Sequence, residues 1–193
     1  MKRLFYIVVI GLFACGRPSE EKKSTADKKD KTEIKTSTLP LIGEEIQGNF
    51  YGDGQNSIAT VKRVKIGKGN PVEDGTADEY EVQFSGKKLK SISSGCCEIR
   101  LINEGDLNND GADEISIFQA PMNGCTYAMT TYSFTKGAWK IIIKTFLIPT
   151  GCEYMSDEDL QNRIFVDNSM VYFLDTDMAD EEVKLIKKIA TIE

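Results

Sequence analysis

From Ser57 onward, the apolar residues of this chain recur at every second position rather than at helical spacing. Glu79-Tyr80-Glu81-Val82-Gln83-Phe84 alternates without a fault and puts Tyr80, Val82 and Phe84 on one face. Successive side chains of an extended backbone point to opposite sides, so this period demands a sheet with a buried face. Residues 57–66, 98–102, 114–118, 127–134, 139–146, 163–166, 170–174 and 183–189 repeat the signal, and Gly, Asn and Asp turns separate them. Lys136-Gly137 reads as a hairpin loop. Only Ser156 to Asn162 suggests a helix, with Ser156 as its cap and Asp159 at the third position after it. The expected fold is mainly β: antiparallel meanders and hairpins in a small sandwich-like domain, with at most one short helix. The aromatic residues, Trp139 included, alternate with polar ones and belong to the core rather than to a ligand platform. The lysines of the last strand read as protection of a sheet edge.

The N-terminus obeys a different rule. Lys2 and Arg3 precede an unbroken apolar run, Leu4 to Ala14, which ends at Cys15. The run falls well short of the roughly 20 apolar residues that cross a bilayer as a helix. Leu12-Phe13-Ala14-Cys15 resembles the cleavage box of bacterial lipoprotein signals, with an aliphatic residue three before the cysteine and a small one directly before it. The resemblance implies a signal peptide over residues 1–14, lipidation at Cys15, and attachment to the outer membrane of a cell envelope. Acyl chains add about 0.8 kcal/mol per buried methylene, so several of them anchor a protein stably. Residues 15–38 hold no aromatic side chain, and Ile34 is their only large aliphatic one. Such a segment buries too little to offset its ordering entropy and reads as a disordered tether. Its acidic pair Glu20-Glu21 is similar to surface-export signals of some Gram-negative lipoproteins, so the protein could face the periplasm or the exterior. Residues 39–193 then make one β-rich domain, large enough to fold without a partner.

Charge and composition remove several function classes. The net charge is −6, and loss of the signal with its two cations takes it to about −8, so phosphate backbones repel the domain and nucleic acid is not an expected partner. The chain contains no histidine, which excludes Ser-His-Asp and Cys-His catalysis and nearly every zinc enzyme site. Of five cysteines, Cys15 is assigned to lipid, leaving Cys96, Cys97, Cys125 and Cys152. An even number in an oxidising compartment reads as two disulfides. Three connectivities are possible. A bond between adjacent Cys96 and Cys97 is the least expected, and each is expected to pair separately with Cys125 or Cys152.

One stretch carries chemistry. Gly105-Asp106-Leu107-Asn108-Asn109-Asp110-Gly111-Ala112-Asp113-Glu114 sets side-chain oxygens at positions one, three and five, and glycine at six for the sharp turn. A backbone carbonyl stands at seven and a carboxylate at nine. Calcium takes six to eight hard oxygen ligands, which such a loop brings together. Leu107 should face the core and Asn109 the solvent. The loop is not an EF-hand, because position twelve is Ile117 and strands flank it. It resembles the Asp-x-Asn-x-Asp-Gly-x-x-acid loops of FG-GAP or VCBS-type repeats, which sit between strands of propeller blades, and departs from them in having Glu at position nine. The resemblance implies a structural calcium ion held by Asp106, Asn108, Asp110, the Ala112 carbonyl and Glu114. A degenerate copy, Gly48 to Ala59, aligns Asp53-Gly54 with Asp110-Gly111 and leaves Asn49, Tyr51 and Ser57 at the other ligand positions. It is too poor in carboxylate for calcium and reads as a turn that kept its shape. Asp175 to Asp180 lacks the glycine and reads as a hairpin turn.

A complete propeller needs at least four blades, more than this chain can hold, so the resemblance implies a small propeller-blade-like domain related to one or two such repeats. The expected function is that of a non-enzymatic binding or adaptor lipoprotein whose partner is an envelope protein or a glycan. The alternatives are an inhibitory or protective, immunity-like lipoprotein and, less favoured, a carboxylate-dependent glycoside hydrolase drawing on Glu153, Asp157, Glu158 and Asp159.

Overall fold

A computed structural model of the chain describes residues 40–86, 90–180 and 182–192. The signal peptide, Cys15 and the tether assigned from sequence lie outside these residues. The described part is mainly β and antiparallel throughout. Its strands are β1 (Ile42–Gly43), β2 (Glu45–Gly48), β3 (Ser57–Lys65), β4 (Glu79–Phe84), β5 (Ile92–Gly95), β6 (Ile99–Gly105), β7 (Glu114–Gln119), β8 (Thr126–Thr135), β9 (Ala138–Pro149), β10 (Ile164–Asp167), β11 (Met170–Thr176) and β12 (Leu185–Ile189). A single turn of helix, α1 (Asp157–Gln161), precedes β10. Ser156 caps it as expected, accepting the Asp159 amide at 3.1 Å.

The strands form three sheets, ordered β2-β3-β4-β5, β1-β6-β7-β8-β9 and β10-β11-β12. Apart from β1, each sheet runs in chain order, so the chain is a succession of meanders. The hairpin between β8 and β9 turns at Lys136 (φ 52°) and Gly137 (φ 81°), the left-handed pair that a two-residue loop requires.

The central sheet buries both faces, because its alternation serves two cores. Ile99, Leu101, Ile115 and Ile117 face the first sheet and pack with Ile46, Phe50, Ala59, Val82 and Ile92. Tyr80, Phe84, Phe134 and Trp139 close that layer, and Trp139 stacks on Phe84 at 4.7 Å while its indole N–H donates to the Lys90 carbonyl. Ile102, Phe118, Met129, Ile143 and Phe146 face the other way and pack with Leu160, Ile164 and Val171 from α1 and the third sheet. Arg100 ties α1 down. Its guanidinium donates to the Met155 carbonyl at 2.6 Å and to Asp157, and lies over the Tyr154 ring.

The disulfide connectivity differs from the expected one. Cys96 bonds Cys97, and Cys125 bonds Cys152. The expected pattern required both adjacent cysteines to lie on one strand with opposed side chains, but they lie in the bend between β5 and β6. There Cys97 takes a φ of 85°, which frees the two thiols from strand alternation. The Cys125–Cys152 bond joins the start of β8 to the turn after β9. Cys152→Ser is expected to cost about 3 kcal/mol in a urea melt, and a non-reducing peptide map should recover the same two bonds.

Candidate metal centre

The 106–113 loop joins β6 to β7 of the central sheet. Its backbone is held by its own side chains. Asp106 accepts the amides of Asp110 (3.1 Å) and Gly111 (3.0 Å), Asn108 Oδ1 accepts the Asp110 amide at 2.8 Å, and Asp110 Oδ1 accepts that of Ala112 at 2.9 Å. Gly111, at φ 91°, supplies the sharp turn. Leu107 is buried in the core and Asn109 is exposed, as the pattern implies. The loop therefore has the shape that its sequence specifies, with its oxygens engaged by amides of the same turn.

Glu114 is not placed like the loop's other acids. It begins β7, is 0% exposed, and its Oε2 accepts the Leu107 amide at 2.6 Å, while its Oε1 is buried with no hydrogen-bond partner. Burial pushes this carboxyl up to about 7. The Leu107 amide and the Ser133 hydroxyl pull it down, and the charges of Asp110 and Asp106 add to the rise. A second acid, Glu104, stands beside it. The β6–β7 register slips between Asn103 and Gly105, which makes Glu104 the extra residue of a bulge facing Glu114. Glu104 Oε1 is also buried and unpartnered. Burial pushes its carboxyl up to about 8, against the Ser116 hydroxyl and with the added charge of Glu114. A hydroxyl row continues from the pair across β7 and β8: Ser116 Oγ lies 2.8 Å from Thr131 Oγ1, and Asn108 Nδ2 donates to Ser133 Oγ at 3.2 Å.

The degenerate loop between β2 and β3 occupies the corresponding place in the first meander and packs against the intact one. Asn49 donates its amide to Asp113 Oδ2 at 2.7 Å and its side chain to the Gly111 carbonyl at 2.8 Å, and it receives the Asp113 amide at 3.1 Å. Asn103 Nδ2 bridges the Gln47 carbonyl (2.9 Å) and Asp113 Oδ2 (3.2 Å). Tyr51 turns away, and its hydroxyl donates to the Ser85 carbonyl at 2.8 Å. Sequence reasoning missed Glu104, Asn103 and Asp113. Only Glu104 had a signal: it lies two residues beyond core-facing Ile102, so alternation alone puts it inside.

Among the described residues, no three His, Cys, Asp or Glu side chains converge as a preformed metal cluster. The residues of the loop pattern offer hard oxygens, and a carboxylate oxygen with one amide bond keeps a second lone pair. With the orphaned Glu114 Oε1, the set fits a calcium ion better than any softer metal. Of the acids named for glycoside hydrolysis, Asp157 is bound to Arg100, and Asp159 Oδ2 accepts the Ser156 hydroxyl at 2.6 Å, so these two serve the helix. The chain matches no protein-family model, no curated protein and no solved structure.

Proposed function

We propose that the protein is a lipid-anchored module of a bacterial cell envelope that acts by binding a partner, an envelope protein or a glycan, with a structural calcium ion fixing its β6–β7 hairpin. The observation that carries the ion is the unpaired, fully buried Oε1 of Glu114 at the ninth position of an Asp-x-Asn-x-Asp-Gly loop. A bare carboxylate oxygen in the interior costs several kcal/mol unless it gains a proton or a cation. Asp106, Asn108, Asp110, the Ala112 carbonyl and Glu114 would hold the ion, whose charge would fix two strands to the loop.

A binding role is supported by the surface. A groove of about 480 Å³ runs between β9 and the segment after β12, with Ile141, Ile143, Phe173 and Ile189 on its walls and Lys140 and Lys144 at its rim. Among the described residues no carboxylate lines it, so it suits contact better than acid–base chemistry. Anchoring follows from the Leu-Phe-Ala-Cys15 box, and intact-mass analysis of membrane-purified protein should find the acylated chain starting at Cys15.

The experiment is a thermal melt with calcium and with chelator. At a hundredfold excess over the dissociation constant, calcium should stabilise the wild type by about 2.7 kcal/mol. Asp110→Ala should remove that increment. A wild-type melting temperature unchanged by chelator removes the calcium claim, and membrane pull-downs with and without calcium then test the partner reading by itself.

A further inference from the structure

We propose that Glu104, which lies outside the loop pattern, is a ligand of the same divalent cation, so that the ion is clamped between the facing carboxylates of the β6 bulge and the start of β7. This rests on the calcium reading of the loop but adds a residue that the loop motif does not contain.

Three observations carry it. Glu104 Oε1 and Glu114 Oε1 are the two side-chain polar atoms, among the described residues, that are buried with no partner. They belong to neighbouring residues of one hairpin, the bulge residue and the one opposite it. And none of the ion pairs found among the described residues supplies either glutamate with a Lys or Arg. Two buried carboxyls side by side, each with one oxygen that nothing satisfies, call for positive charge between those oxygens, which a divalent cation supplies. The Ser116 and Ser133 hydroxyls beside the two acids supply the neutral oxygens that a hard cation also takes.

The test is a calcium titration by calorimetry at pH 8 on the full mature chain, comparing wild type, Glu104→Gln and Asp110→Ala, with a melt in chelator to show that each variant folds. Glutamine keeps the size and hydrogen bonding of the protonated acid but cannot give a charged ligand. Glu104→Gln should weaken calcium binding about ten-fold or more while melting in chelator at or above the wild-type temperature. Affinity within two-fold of wild type overturns the proposal and leaves the loop reading standing. If Glu104→Gln abolishes binding and Asp110→Ala does not, the glutamate clamp holds the ion and the loop reading falls. A wild type that takes up no calcium overturns both.

Discussion

In chelator, the protein should lose stability as the pH rises from about 5 to 8.5, opposite to the usual acid denaturation. The cause is Glu104, whose carboxyl burial raises from an ordinary 4.5 to about 8, with Glu114 raised to about 7. A carboxyl with a raised folded pKa holds a proton that the unfolded chain has already released. Folding therefore takes up protons between the two values, and stability is fully present below the unfolded value and lost as pH climbs through the folded one. For Glu104 alone the penalty is on the order of 4 kcal/mol. For a domain of this size that corresponds to a fall of roughly 10 °C in melting temperature. Glu104→Gln should flatten most of this slope and melt above wild type at pH 8.5. Excess calcium should also flatten it, because the cation binds the ionised form. A chelated wild type whose melting temperature is level over this range would mean that water reaches both carboxylates.

The same glutamates show what was legible in the sequence. Alternation identified the long strands because each half-buried strand of a meander must present one face to a core, and Tyr80, Val82 and Phe84 lie where that rule puts them. It did not reveal β1, β2 or β5, which are two to four residues long and hold a single isoleucine each, too few apolar residues to show an alternation. Their strand character comes from pairing, such as Ile42 with Ile102, and not from their own residues. The helix was legible because Ser156 and Asp159 are chemically specific for an N-terminus. The cysteine pairing was not, because it turned on one positive φ at Cys97. In the candidate metal centre, the turn itself could be read from spacing, since Asp106, Asn108 and Asp110 accept backbone amides of their own loop. Glu104 could have been read from the alternation through Ile102, but a charged residue on a core face is ordinarily taken as a register break. Asp113 could not be read at all: its partner, Asn49, is 64 residues away in sequence.

That contact underlies the second large effect. Asp113→Ala should destabilise the chelated protein by about 3 kcal/mol, since hydrogen bonds to a charged group each contribute about 1.5–3 kcal/mol and two donors lose theirs. The donors are the Asn49 amide at 2.7 Å and Asn103 Nδ2 at 3.2 Å, the latter keeping its bond to the Gln47 carbonyl. Gly48 shows how tight the junction is. A Cβ built there would stand 2.6 Å from Asn103 Nδ2 and 2.8 Å from both Asp113 Oδ2 and Phe50 Cζ. Asp113→Asn keeps an acceptor for the Asn49 amide but loses the charge, so it should recover about half of the loss. Both variants should also weaken calcium binding, because the junction fixes the 106–113 turn through Gly111 and Asp113. Urea melts in chelator give the first quantity and calorimetry the second. An Asp113→Ala variant with wild-type stability and wild-type calcium affinity would show that the two loops fold independently and merely touch. A variant that loses stability but binds calcium normally would confine the junction to holding the first sheet against the second.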